Sequence, residues 1–278
     1  MESNPQGNAA ELIIVCCHAI WLGGPSNGWD ESEWLIEPFQ KGETPIYIEH
    51  IKAGIKALSQ APAGSLLVFS GGPTKAAAGA LAEGQSYLNL AQANEYFPKT
   101  TTTTIDQSAV TAENLATDSY QNVLFSLLLF RRLRGFYPTR LVIVSHEFKR
   151  ARFTDLHCRA IKWPLERVEY IGINPPPEVT PPDTLVAAEA KSGFGLWKSD
   201  LYGTGKILHE KRVKRAWKAA DAYGVVQYIC GDLSDVQGDT HEKALEASVM
   251  HLLRWTGGSS GVEVFPERLP WEDDDAAV

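Results

Sequence analysis

The 278-residue sequence predicts an α/β protein: a Rossmann-like three-layer sandwich with a mostly parallel sheet, plus a C-terminal helical addition. Three observations predict it. Short aliphatic runs recur along the first 173 residues, as strands buried on both faces require. Stretches with helical spacing lie between them, and such alternation implies parallel strands covered by helices. After residue 173 the pattern gives way to a proline-rich connector and then to helices alone.

The first run, residues 12–16, is Leu-Ile-Ile-Val-Cys and reads as a central strand. Residues 46–58 carry apolar side chains at helical spacing. Residues 66–69, Leu-Leu-Val-Phe, form the second strand, and the alanine-rich stretch 76–96 the helix after it. The threonine-rich residues 101–105 have the stiffness of β-branched chains but little to bury, which fits an edge strand or a loop. Residues 112–134 read as a long helix ending in Arg131, Arg132 and Arg134, which suit the negative end of its dipole. Residues 141–144 and 168–171 complete the strands, with a helix over 148–161 between them.

The core therefore spans residues 10–174. Pro175, Pro176, Pro177, Pro181 and Pro182 stiffen the connector that opens the addition, residues 175–257. Helices are expected there near 185–190, over 206–223 and over 241–255. The helix from residue 206 bears Lys206, Lys211, Arg212, Lys214, Arg215 and Lys218 opposite an apolar stripe of Val213, Trp217 and Ala220. Its basic face reads as solvated. Residues 258–278 read as a flexible acidic tail.

Composition narrows the functions. Hydrophobic residues at 44% and charged residues at 22% suffice for an ordinary core. A net charge of −8 repels phosphate backbones, so nucleic-acid binding is not expected. Cys16, Cys17, Cys158 and Cys230 form no C-x-x-C pair and read as small core residues of a reducing compartment. No apolar run approaches the ~20 residues a membrane span needs, and the first ten residues lack the features of a secretory leader. A cytoplasmic protein is expected, with no membrane partner and no metal.

In parallel α/β sheets ligands bind beyond the carboxyl ends of the strands, so the loops there carry the candidates. The loop after the first strand holds His18, Gly23 and Gly24, where glycines let a backbone approach a ligand. A plain turn with a hydrogen-bonded histidine would look the same. Ser70, Gly71, Gly72 and Pro73 follow the second strand, and free amides there would cradle an anion. The Walker spacing is absent. Ser108, Thr111, Glu113 and Asn114 gather short polar groups, with Thr111 placed as a helix N-cap. His146 and Arg150, four apart after the strand over 141–144, would share a helical face and suit a phosphate or carboxylate. Glu83, taken alone, reads as a solvated helix residue. Gly257-Gly258-Ser259-Ser260-Gly261 matches G-x-S-x-G but lacks the strand before and helix after that a nucleophile elbow needs.

Taken in order, Ser70-Gly71-Gly72, Glu83, the Ser108-x-x-Thr111-x-Glu113-Asn114 stretch, and Val142-Ile143-Val144-Ser145 followed by His146 and Arg150-Ala151 resemble the YdcF-like family. This is domain-of-unknown-function family 218, which includes the SanA- and ElyC-like envelope proteins. The resemblance covers residues 12–173, and Trp21, Trp29, Trp34 and the long addition resemble its fungal branch. It implies a Rossmann-like sheet with Ser70, Gly71, Gly72, Glu83, Ser108, Thr111, Glu113, Asn114, His146 and Arg150 at its functional edge, and S-adenosylmethionine as a possible cofactor. The family carries His-x-x-Arg-Ala, whereas three residues separate His146 from Arg150 here.

The function expected is binding of a small anionic or nucleotide-like ligand at the strand ends, with hydrolysis or group transfer on it. Gly71 and Gly72 would cradle the anion, Arg150 would pair with it, and Glu113, Glu83 or His146 would serve as acid or base. The alternative is a metabolite sensor or adaptor whose helical addition binds a protein partner.

Overall fold

The computed structural model describes residues 9–101, 104–215 and 240–272. Seven strands occur there: β1 (Glu11–Cys16), β2 (Ile20–Trp21), β3 (Trp34–Leu35), β4 (Leu66–Ser70), β5 (Val110–Glu113), β6 (Arg140–Ser145) and β7 (Val168–Gly172). Five of them make one parallel sheet in the order β5-β4-β1-β6-β7, and β2 pairs with β3 in a small antiparallel ribbon. The chain runs outward from β1 through β4 to β5, then returns to the other side of β1 for β6 and β7. The order thus reverses between β1 and β6, and at such a switch point the loops diverge and leave a crevice.

The sheet is apolar on both faces because successive side chains point opposite ways. Leu12, Ile14 and Cys16 of β1 join one core cluster, while Ile13 and Val15 join the other. The second cluster is covered by α1 (Thr44–Gln60), through Tyr47, Ile48, Ile51 and Ile55, and by α2 (Glu83–Ala93), through Tyr87 and Leu90. The first is covered by α3 (Ser119–Arg134) and by a π-helical turn, Arg152–His157, that runs into the short α4 (Cys158–Ala160).

The sheet matches the α/β sandwich expected, while several elements differ locally: the helix expected over 76–96 is confined to Glu83–Ala93, and that over 148–161 is broken into 3-10, π-helical and short α-helical turns. The third sheet strand is Val110–Glu113, not residues 101–105. Of the latter, the described residues carry no strand, and 102 and 103 lie outside the description. A threonine run supplies stiffness but no apolar face, whereas Val110 is buried against the sheet. Consequently Thr111 is a strand residue and not a cap. The N-cap of α3 is Asp118, whose side chain accepts from Gln121 N at 2.9 Å.

The addition contains α5 (Pro182–Ser192), α6 (Phe194–Trp197), α7 (Lys206–Lys214) and α8 (Thr240–Leu252). The remainder of the basic helix, the Trp217–Ala220 part of its stripe and Cys230 lie outside the described residues. The addition shares the first core cluster through Trp197, Leu201, Tyr202, Leu208 and Val249. Residues 258–272 do not behave as a tail: Phe265, Leu269 and Trp271 are buried in the same cluster, and Trp271 Nε1 donates to Ile161 O at 2.7 Å. Apolar burial outweighs the local acidity there; residues 273–278 lie outside the description. Among the described residues no helix is long and apolar enough to cross a membrane.

Candidate functional site

A cavity of about 440 Å³ opens at the carboxyl ends of β1, β4 and β6, over the switch point. β1 delivers Cys16, Cys17 and His18 to it, the β4 loop Gly71, Thr74 and Lys75, and the segment after β6 Lys149, Arg152 and Phe153. The addition closes one side with Lys211, Lys214 and Arg215, and Phe39 stands at the wall 78% exposed. Six cations thus face three carboxylates, those of Glu37, Glu83 and Asp118.

The carboxylates are largely committed. Glu37 pairs with Lys75 at 2.7 Å, and Asp118 with Arg212 at 2.5 Å. Glu83 is buried at the start of α2, accepts from the Thr74 hydroxyl, and has its carboxyl pushed up by burial. It is therefore a cavity residue and not the solvated one its helical context suggests. Arg152 pairs with Glu189 outside the lining at 2.7 Å, and Arg215 donates to Thr117 O at 2.8 Å. The guanidinium of Arg152 is thereby held rigid at the wall, as an anion site requires.

His18 and Lys149 meet in this cavity. Lys149 Nζ lies 3.3 Å from His18 Nδ1, and His18 Nε2 lies 3.3 Å from Ser145 Oγ. Desolvation, reinforced by the Lys149 charge, holds the His18 imidazole neutral, well below the usual histidine range. Burial, with Arg152 as the next cause, brings the Lys149 ammonium down to about 7. A neutral imidazole beside an amine that titrates near neutrality can pass a proton either way. The thiols cannot serve as nucleophiles, since burial raises Cys16 to about 12 and Cys17 well above its ordinary value.

Behind His18 stand two further histidines. The His18 and His146 ring centroids are 4.5 Å apart, and those of His50 and His146 4.9 Å. His50 Nε2 donates to Ile173 O at 3.0 Å. His146 is buried with neither ring nitrogen hydrogen-bonded; its Nε2 is 3.9 Å from Glu43 Oε2. Burial keeps His146 neutral, and it supports His18 from behind without lining the cavity. Among the described residues no grouping of His, Cys, Asp and Glu could hold a metal ion.

Other residues singled out from the sequence lie elsewhere. Gly71 N donates to Glu113 O at 3.0 Å and Gly72 N to Ala116 O at 2.6 Å, so these amides are consumed by the β5 loop and offer no anion cradle. A Cβ on Gly72 would stand 2.9 Å from Ala116 O, so the glycine serves this close backbone crossing. Ser70 and Glu113 bond to each other beneath the cavity floor and do not line it. Asn114 Nδ2 reaches Gln85 at 3.5 Å. Thr111 sits mid-strand, and Ser108 is exposed at the amino end of β5, on the opposite edge of the sheet. Gly23 adopts φ +87° in a loop organised by Glu33, which accepts from Ser26 N at 2.7 Å and Gly28 N at 2.8 Å. Arg150 points away from the cavity: it pairs with Glu147 at 2.6 Å and stacks 4.8 Å over Tyr170. Arg152, two residues on at the start of the π-helical turn, faces the ligand space. Sequence reasoning missed Lys149, Arg152, Lys211, Lys214 and Arg215. For Lys149 and Arg152 the signal was present, since both follow a strand at the switch point.

No family model and no solved structure matches the chain significantly. It is similar to a Saccharomyces cerevisiae protein described as uncharacterized protein YOR238W, with 26% identity over 88% of this chain and 97% of that protein.

Proposed function

We propose that the protein binds a small phosphate-bearing metabolite in this cavity and carries out hydrolysis or group transfer on it. The observation that supports this is the convergence of six cations on one pocket of a chain whose overall charge is −8. Concentrating cations against the net charge costs self-repulsion, which a bound polyanion relieves. Arg152 supplies a planar fork for phosphate oxygens. Lys214 and Arg215 close over the ligand, and His18 with Lys149 moves the proton. Phe39 offers a ring face to the non-phosphate end, which suits a nucleotide. S-adenosylmethionine fits less well, because its sulfonium would enter a cationic wall.

Membership of the YdcF-like family is proposed with this reading, on the order and placement of its strand-end residues. A cytoplasmic setting is proposed too, on the free thiols of Cys16, Cys17 and Cys158.

One observation favours a second reading, a metabolite sensor. Helix α7 lines the cavity with Lys211 and Lys214 while Ile207 and Val213 are 57% and 52% exposed. A ligand that drew α7 inward would alter that apolar surface for a protein partner.

The test is a thermal-shift and calorimetric screen of the protein with pyrophosphate, nucleoside phosphates, sugar phosphates and S-adenosylmethionine. A ligand at ~100 times its dissociation constant adds about 2.7 kcal/mol of stability. Arg152→Gln is expected to cost about 1.5–3 kcal/mol of binding, and Arg150→Gln to leave affinity unchanged. No shift with any phosphate compound would sink the proposal, and binding without turnover of any ligand would favour the sensor.

A further inference from the structure

We infer that Lys149 is a nucleophilic amine and that the cavity takes a phosphorylated aldehyde or ketone, which Lys149 captures as an imine. The inference rests on the phosphate-binding reading and names its substrate class.

Three features of the site carry it. Lys149, unlike Lys75 and Arg152, has no carboxylate within ion-pair distance among the described residues; the neighbour of its Nζ is the neutral nitrogen of His18 at 3.3 Å. A lysine placed only to hold phosphate would gain from remaining charged, yet the polar neighbour of this one is a neutral histidine nitrogen; the Phe148 ring face, 5.4 Å from Nζ, acts in the opposite sense and favours the ammonium. Permanent cations are already supplied by Arg152 and Arg215, so a neutral amine is the distinctive element of the site. Burial and Arg152 press the ammonium towards its neutral form, against Glu189, Cys16 and Glu43, which act in the opposite sense.

The step balances within the residues present. The Lys149 Nζ lone pair attacks the carbonyl carbon, and the carbonyl π pair moves to oxygen. His18 Nδ1 accepts one proton from nitrogen and delivers it to the alkoxide, giving the carbinolamine, then takes the second nitrogen proton and delivers it to the departing hydroxyl. The carbinolamine C–O bond breaks, water leaves, and a C=N bond joins Lys149 to the substrate. No oxidant or reductant takes part. Arg152 and Arg215 hold the phosphate and fix the carbonyl beside Nζ.

The experiment treats the full chain with substoichiometric pyridoxal 5′-phosphate, or with pyridoxal as the phosphate-free control. Borohydride reduction and peptide mapping by mass spectrometry follow. The expected result is a single adduct at Lys149, formed about tenfold or more faster than with pyridoxal and slowed by pyrophosphate. Its rate should rise as pH passes through about 7. Lys149→Arg and Lys149→Met should both lose the adduct, while Lys149→Arg retains the pyrophosphate thermal shift. Labelling spread over other lysines, or none, with the wild-type pyrophosphate shift intact would overturn the imine and leave the anion site standing. Absence of the pyrophosphate shift in the wild type as well would overturn both.

Discussion

Ser70 Oγ donates to Glu113 Oε2 at 2.6 Å, linking the last residues of β4 and β5 beneath the cavity floor. Asn122 Nδ2 from α3 donates to both Ser70 O and Ser70 Oγ, at 2.8 and 2.9 Å, while Glu113 Oε1 accepts from Leu115 N and Ala116 N. Two strands and a helix are thus locked by one buried carboxyl. Its hydrogen-bonding capacity is spent on the fold, and the chemistry falls to the residues above it.

Burial raises the Glu113 carboxyl from 4.5 to about 7. The folded protein therefore holds a proton there that the unfolded chain releases above pH 4.5. The resulting stability is complete below pH 4.5 and is lost as pH rises through 7, by about 3 kcal/mol. Glu113→Gln keeps an acceptor for the backbone amides, turns the Ser70 hydroxyl from donor to acceptor, and cannot ionise. In urea titrations at pH 4, 5.5 and 8, the wild type should lose stability relative to Glu113→Gln with rising pH. A difference that does not change with pH would refute the assignment.

Lys149 has the opposite sign. Its folded pKa, about 7, lies below the ordinary 10.5, so between these values the unfolded chain binds more protons and stability rises with pH. Lys149→Met removes the cost of burying the charge. The variant should be more stable than the wild type at pH 7 and below, on the order of a few kcal/mol, with the gain vanishing above pH 10. A destabilised Lys149→Met at pH 6 would contradict a burial penalty. Gained stability with lost chemistry is the trade expected of a functional residue.

Helix α2 approaches the sheet through Gly84. A Cβ there would lie 2.4 Å from Phe69 O and 2.6 Å from Glu113 O, both backbone atoms of paired strands that cannot yield separately. Gly84→Ala should cost about 1–3 kcal/mol, seen as a lower urea midpoint with unchanged slope. An unchanged midpoint would mean the approach is looser than these distances.

Four of the five sheet strands were legible because continuous aliphatic runs have no other stable placement than a doubly covered sheet. β5 was not, since Val110-Thr111-Ala112-Glu113 has one strongly apolar side chain and its Thr-x-Glu pattern imitates a helix start. At the site, His18 and Gly71 are legible from strand-end position, which is local information, whereas Glu83 enters only through the family resemblance, since its helical context alone reads as solvated. Ordinary helical spacing from His146 points to Arg150 over Arg152, but the residues that follow His146 form a 3-10 turn, Glu147–Lys149, whose tighter winding alters that spacing. Lys211, Lys214 and Arg215 look solvated because nothing local tells which face of an amphipathic helix meets a cavity formed 60 residues earlier.

That long-range placement depends on Asp118 and Arg212. Asp118 caps α3 through Gln121 N while its other oxygen accepts from Arg212 Nε at 2.5 Å, and both side chains are nearly buried. Arg212 lies 5.9 Å over the Trp197 ring, so the pair fastens α7 against α3 and α6 and brings Lys211, Lys214 and Arg215 to the cavity. Asp118→Ala leaves Arg212 buried without its counter-charge and removes the cap, at an expected cost of about 3–5 kcal/mol. Arg212→Met keeps an apolar chain on Trp197 and leaves Asp118 its capping bond, so it should cost less. The double variant Asp118→Ala/Arg212→Met should be more stable than Asp118→Ala alone, because no unpaired guanidinium remains. All three variants lacking the pair should bind pyrophosphate more weakly even where they stay folded, since α7 is released from the cavity wall. A double variant no more stable than Asp118→Ala, or full pyrophosphate affinity without the pair, would show that α7 is held by its apolar contacts alone.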